Sequence, residues 1–224
     1  SGNFLTAPQQ AALAAIAGAP PGTGREVRYA APGVLLVTGS ADIAVPLLAS
    51  LPTGLDVLAV VTGQISSAPH APNVRLMEGR VTRVEGWMGA FAVFAASRIG
   101  NADLAPFSPG KRFDLVLDLN EPSLISREVL PRGYAAAPSG RDIGNALRIL
   151  AEAMQDPVKP VFFSYRADLC SHGARSVTGC TRCLSICPAG AITAEPDTIR
   201  VEPFLCHGCG SCTVACPSGA LSYA

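Results

Sequence analysis

Eight cysteines, none before Cys170 and none after Cys216, constrain this chain of 224 residues more than any other feature. An internal repeat orders them. Residues 180–193 read CTRCLSICPAGAIT, and residues 209–222 read CGSCTVACPSGALS. The offset is constant, with Cys180 matching Cys209, Cys183 matching Cys212 and Cys187 matching Cys216. Six of the fourteen positions are identical: three Cys, then Pro, Gly and Ala. A repeat this specific predicts a small unit built from two related halves.

The spacing narrows the chemistry. Residues 206–217 give C-x2-C-x2-C-x3-C-P without deviation. Three thiolates two residues apart can wrap three irons of one [4Fe–4S] cubane, while the fourth, ahead of a proline, is turned toward a second cluster. Gly208, Gly210 and Ser211 are small enough for the backbone to come close, with its N–H groups aimed at sulfur. A zinc ribbon would use two C-x2-C pairs and leave Cys187 and Cys216 unexplained. A secreted disulfide framework also favours an even count, but does not produce two C-P repeats at a constant offset.

With these residues in hand, 170–224 resembles the bacterial dicluster ferredoxin domain, in which two hairpin-plus-helix halves hold two cubanes. The resemblance implies that Cys180, Cys183 and Cys216 bind cluster I, and that Cys206, Cys209, Cys212 and Cys187 bind cluster II. Pro188 and Pro217 match the family's post-cysteine prolines. One position departs. The repeat calls for the first cysteine of cluster I at 177, which is Val177, and Cys170 stands seven positions early. The inserted stretch, Ser171 to Gly179, is polar and glycine-containing, so it can loop out and let Cys170 complete the set. The closure cost is small, about 0.6 kcal/mol per doubling of loop length. The alternatives are a bystander Cys170 with a [3Fe–4S] cluster I, no cluster I, or another ligand such as His172. Otherwise His172 and His207 are expected beside the ligands, and Arg175, Arg182 and Arg200 on a solvated face.

The stretch 1–165 carries no such signature. Near-continuous apolar runs at 34–38, 55–61, 113–119 and 161–165 read as strands buried on both faces of a parallel sheet. Residues 8–17 and 41–50 suit helices. Residues 141–155, with Ile143, Leu147, Leu150 and Met154 at helical spacing, suit a longer one. Residues 81–84 and 91–95 flank Gly86-Trp87-Met88-Gly89 as a β-hairpin. Trp87 and Met88 are expected to pack against their own domain rather than a partner. The fold expected is an α/β domain over 1–165, mostly parallel with an antiparallel hairpin, then a small α+β dicluster domain over 166–224.

Nucleotide binding finds little support. The loop from Ala19 to Arg25 imitates a phosphate loop, but Arg25 replaces its lysine, Glu26 its hydroxyl, and no apolar strand precedes it. Thr38-Gly39-Ser40 follows a strand without G-x-G-x-x-G, so a plain connection is expected. Asp118, Asn120 and Glu121, at a strand end, read as a solvated loop.

Net charge is zero, with 17 basic and 17 acidic residues, which argues against a basic nucleic-acid binder. The most apolar stretch, 43–61, is broken by Pro46, Pro52, Gly54 and Asp56, so no membrane span is expected. The chain opens Ser1-Gly2-Asn3, as an excised piece or tag scar would, and can continue past Ala224. The function expected is single-electron relay through two [4Fe–4S] clusters to a redox protein partner, such as a larger dehydrogenase complex, in the bacterial cytoplasm. No acid–base pair or nucleophile accompanies the cysteines, so a stand-alone catalyst is not expected. The alternatives are a piece of a flavin- or nucleotide-dependent oxidoreductase, with a bound flavin or nucleotide the less favoured expectation, and a redox-sensing or maturation factor. The layout is similar to larger ferredoxin-domain proteins of formate dehydrogenase systems. Two oxidised cubanes would add about −4 to the thiol-neutral count. The three Arg and three acids of 170–224 do not offset that.

Overall fold

The computed structural model describes residues 6–11, 24–30, 33–52, 54–65, 71–97, 100–155, 157–172 and 179–224. Residues 7–11 are helical, and the rest of the helix expected over 8–17 lies outside the described residues. So does the phosphate-loop imitation, apart from Gly24 and Arg25.

A short strand, β1 (Glu26–Arg28), precedes the apolar run that becomes β2 (Val34–Ser40). The Asp114 carboxylate accepts from the N–H groups of Gly33 and Val34 at 2.7 and 2.8 Å and fixes where β2 begins. Then come α1 (Ala41–Leu48), β3 (Asp56–Thr62) and β4 (Val74–Glu78). An antiparallel sheet follows, β5 (Val81–Glu85), β6 (Ala92–Ser97) and β7 (Gly100–Asp103), with the Gly86–Gly89 turn where the sequence put it. The chain returns through β8 (Leu115–Asp118), β9 (Tyr134–Ala136) and α2 (Ile143–Gln155). The five-stranded sheet has the order β4-β3-β2-β8-β9, every neighbouring pair parallel.

The two-residue period of a strand splits its apolar runs between two cores. Leu35, Val37, Val57, Ala59, Leu115 and Leu117 face Ala44 and Leu48 of α1 and Leu150 of α2. Leu36, Leu58, Val60 and Val116 face Val84, Phe91, Val93 and Phe113 beneath the antiparallel sheet. Helices therefore cover one face and a second sheet the other.

The run at 161–165 does not join the parallel sheet. It is shared between two antiparallel pairs. Val161 donates to the Arg25 carbonyl at 2.7 Å, continuing the pairing of β1 with β10 (Val158–Pro160). β11 (Phe163–Tyr165) instead pairs with the last strand, β14 (Leu221–Tyr223). The run begins where the β1–β10 pair ends and continues into the β11–β14 pair, so apolar character here marks a crossing between units rather than a core strand.

The cysteine-rich unit adds α3 (Arg182–Ile186), the hairpin β12 (Ile192–Ala194) with β13 (Ile199–Val201), and α4 (Ser211–Ala215). Among the described residues, no helix is long and apolar enough to cross a membrane.

Candidate metal centres

The repeat becomes a pseudo-twofold of matched elements. The starts of α3 and α4, Arg182 and Ser211, are offset as Cys180 is from Cys209, and so are Ile192 and Leu221, the starts of β12 and β14. Upstream of the insertion the separation grows by seven positions. It then runs from Phe163 to Ile199, the first residues of β11 and β13, and equally from Cys170 to Cys206. The registers agree: Phe163 pairs with Tyr223 as Ile199 pairs with Ala194, and Tyr165 with Leu221 as Val201 with Ile192. Cys170 thus occupies in one half the place of Cys206 in the other, and the extra stretch falls after it.

The base of the insertion is clipped. Cys180 N–H donates to the Ser171 carbonyl at 3.3 Å, and His172 Nδ1 lies 2.9 Å from the Cys180 carbonyl. That contact assigns the proton to Nδ1, since a carbonyl can only accept. His172 is 3% exposed and serves as a strut for the cysteine backbone. A turn of 3-10 helix, Ala167–Leu169, ends at Cys170 and presents it beside Cys180.

The cysteines gather into two sets. One cavity is lined by Cys170, Cys180, Cys183 and Cys216, roofed by Tyr165 and Leu221. The other is lined by Cys187, Cys206, Cys209 and Cys212, with Phe163, Ile192 and Val201. The last cysteine of each repeat crosses to the other half's cavity. These are the two sets the resemblance implied, with Cys170 completing the first. Among the described residues, no three His, Cys, Asp or Glu side chains converge on a single ion position. Four thiolates spread around a cavity suit a cubane, where each meets its own iron.

Sulfur electrostatics differ by position. Burial pushes the thiols of Cys183, Cys206 and Cys212 up, and neighbouring cysteines add to this at each. Cys209 is lowered by the hydroxyl and N–H of Ser211. At Cys216 burial raises the thiol, but the N–H of Leu221 and the hydroxyl and N–H of Ser218 outweigh it. Ala191 N–H reaches Cys187 Sγ at 3.3 Å, and His172 N–H reaches Cys170 Sγ at 3.5 Å. Donors aimed at sulfur stabilise thiolate over thiol, which is the ligating form. The donor set and its surroundings therefore fit a thiolate-ligated cluster in each cavity.

The second cavity is bonded to the α/β unit by Trp87 and by residues that the sequence did not single out. The Phe204 ring stacks on Trp87 at 5.2 Å and 1°, and meets Tyr29 edge-on at 5.2 Å and 66°. Its carbonyl accepts from Tyr29 Oη at 2.7 Å and Lys159 Nζ at 2.9 Å, and Lys159 also donates to the Cys206 carbonyl at 2.7 Å. Burial pushes Lys159 down to about 8, with the Cys206 thiolate opposing that fall. Arg127 donates to the Ala189 carbonyl at 3.1 Å. Gly208 has φ +73, and a Cβ there would stand 2.6 Å from the Phe162 ring, so this motif glycine also allows the close approach of the two units. Trp87 and Met88 both pack on the α/β core, as expected, and Trp87 additionally meets Phe204 of the cysteine unit.

The sheet edge weighed for a nucleotide is filled by the protein itself. Asp118 is fully buried rather than part of a solvated loop. Its carboxylate accepts from Asn120 N–H at 2.9 Å, Leu124 N–H at 2.6 Å and the Tyr134 hydroxyl. A Cβ on Gly39 would lie 2.7 Å from Leu119 Cβ, so β2 and the end of β8 close against each other at this switch point. Only Glu121 is exposed, held by Ser139 and by Arg141 at 2.8 Å. Of the three arginines weighed, Arg182 edges the first cavity, Arg200 pairs with Glu202 at 3.5 Å, and Arg175 lies outside the described residues.

No curated protein matches the chain. Residues 178–220, which hold every cysteine but Cys170, match the family of the 4Fe-4S dicluster domain, an iron–sulfur electron-transfer module.

Proposed function

We propose that this protein carries single electrons between redox proteins through two [4Fe–4S] clusters. The first is held by Cys170, Cys180, Cys183 and Cys216, and the second by Cys187, Cys206, Cys209 and Cys212. When bound, each cubane accepts or releases one electron without breaking a bond. The protein's part is to supply thiolates, aim N–H and hydroxyl donors at them, and keep water from the inner sulfurs with Tyr165, Leu221, Phe163 and Val201. Residues 1–165 form the docking platform and 166–224 the relay. Eight free cysteines suit a reducing compartment, in keeping with the cytoplasm.

The observation that carries this reading is the crossing of Cys187 and Cys216 between the two halves, which interlocks two four-thiolate cavities. Anaerobic reduction by dithionite followed by spin integration tests it. The expected result is about two unpaired spins per chain, one from each cubane, with mutual broadening. A single isolated spin would contradict the pairing.

A further inference from the structure

The pseudo-twofold places Tyr165 in one half where Val201 stands in the other, since Tyr165 pairs with Leu221 as Val201 pairs with Ile192. Each lines a cysteine cavity, Tyr165 with Cys170 and Val201 with Cys206. The backbone donors to these two cysteines are matched. His172 N–H reaches Cys170 Sγ at 3.5 Å, and Gly208 N–H serves Cys206 at the same spacing along the chain. The side chains are not matched, because Tyr165 brings a hydroxyl to its cavity and Val201 brings none. The bonds of that hydroxyl can be counted, since it donates once and accepts twice. Ile199 N–H donates to Tyr165 Oη at 3.4 Å, and Thr198 Oγ1 lies 2.7 Å from it. Thr198 can give its proton to Tyr165 or to the Ile199 carbonyl at 3.4 Å, and the shorter contact is the stronger. Both acceptor positions of the Tyr165 oxygen are then filled. Its own proton is left for the Cys170 sulfur, which stands within hydrogen-bond reach. Burial and that thiolate push the Tyr165 hydroxyl up, so it remains a donor.

We propose that Tyr165 sets the potential of the first cluster through a hydrogen bond from its hydroxyl to Cys170 Sγ, a control that the second cluster lacks at the matching position. This deepens the electron-relay reading and rests on Cys170 as a ligand. Hydrogen bonds to sulfur are among the levers that set the potential of an iron–sulfur cluster. Reduction adds negative charge, and a donor binds the more negative acceptor more strongly. The Tyr165 hydroxyl therefore favours the reduced form and raises the midpoint.

An anaerobic redox titration of the iron-loaded protein, followed by EPR, tests this with Tyr165→Phe beside the wild type. The substitution keeps the ring and removes the oxygen alone. At a fixed ambient potential the reduced-to-oxidised ratio of the first centre should fall about fivefold, equivalent to about 40 mV for one electron. The second centre should stay in place. Cys170→Ala identifies the first centre by converting its signal to that of a [3Fe–4S] cluster. Thr198→Val leaves the tyrosine intact and carries the test if Tyr165→Phe loads poorly. It removes a donor that polarises the hydroxyl, so the same ratio should fall about twofold. A rise in Thr198→Val would mean that Tyr165 had been donating to Thr198, and would overturn the proposal. An unmoved first midpoint in a fully loaded Tyr165→Phe protein, or an equal fall at both centres, would overturn it as well. The two failures are distinguishable. A Cys170→Ala protein that keeps both cubanes refutes the ligand reading, whereas unmoved midpoints with the ligand established refute the role of Tyr165 alone.

Discussion

The two parts of the molecule solve the burial problem in opposite ways. Among the described residues, the α/β part has cores of twenty and fourteen buried apolar side chains, on either face of one parallel sheet. The cysteine part has cores of four and three, and several of the side chains packed around them are cysteines. A unit of this size buries too little apolar surface to be secure alone, and small domains recruit metals to compensate. The polar chemistry is reversed as well. The carboxylate of Asp118, at the edge where such sheets hold ligands, is consumed by internal donors, whereas the thiols line two shared cavities. Residue chemistry that looks functional is structural in one part, and in the other the cysteines that would hold the clusters are themselves part of the packing.

That contrast can be broken experimentally, and the largest effect is expected from the clusters. Anaerobic removal of iron should abolish amide protection across 179–224 and leave β2, β3 and β8 protected. Hydrogen exchange reads both parts at once, and equal loss in both would show that the α/β part depends on the metal too. Next is Asp118→Ala, which strands the Tyr134 hydroxyl and the N–H groups of Leu124 and Asn120. It should cost about 3 kcal/mol or more in urea unfolding of the α/β part. The iron content should not change.

The seam should respond less. Phe204→Ala removes a ring shared by Trp87 and Tyr29 and should cost about 2 kcal/mol. A double-mutant cycle with Trp87→Ala should return a coupling of about 1 kcal/mol, and strict additivity would mean that the stacked pair contributes nothing specific. The smallest effect is expected from Lys159→Met, which removes a positive charge bonded to the Cys206 carbonyl. The midpoint potential of one centre should fall by tens of millivolts, on a scale where about 59 mV is tenfold for one electron. The other should stay in place, and an EPR-monitored redox titration separates the two.

The sequence was most readable where covalent spacing dictates geometry. The repeat pointed to two related halves and to the insertion after Cys170, because ligand spacing leaves the backbone few options. Long apolar runs likewise revealed β2, β3 and β8. The edges of the sheet were illegible. β4 is half exposed at an edge, and β9 is only Tyr134-Ala135-Ala136, too short to show a period. The run at 161–165 misled because its apolar residues serve two different pairings, and local pattern does not record which strand a residue meets. Lys159, Tyr29 and Phe204 gave no signal, since nothing local marks residues that meet only when 175 positions of chain close on themselves.

The central claim is that Cys170 is the fourth ligand of the first centre, reached across the insertion. Iron and sulfide analysis of the wild-type protein beside Cys170→Ala tests it most directly. About eight of each are expected in the wild type, and about seven irons in the variant, with the signal of a [3Fe–4S] cluster when oxidised. A variant that keeps all eight irons and shows no such signal would contradict it.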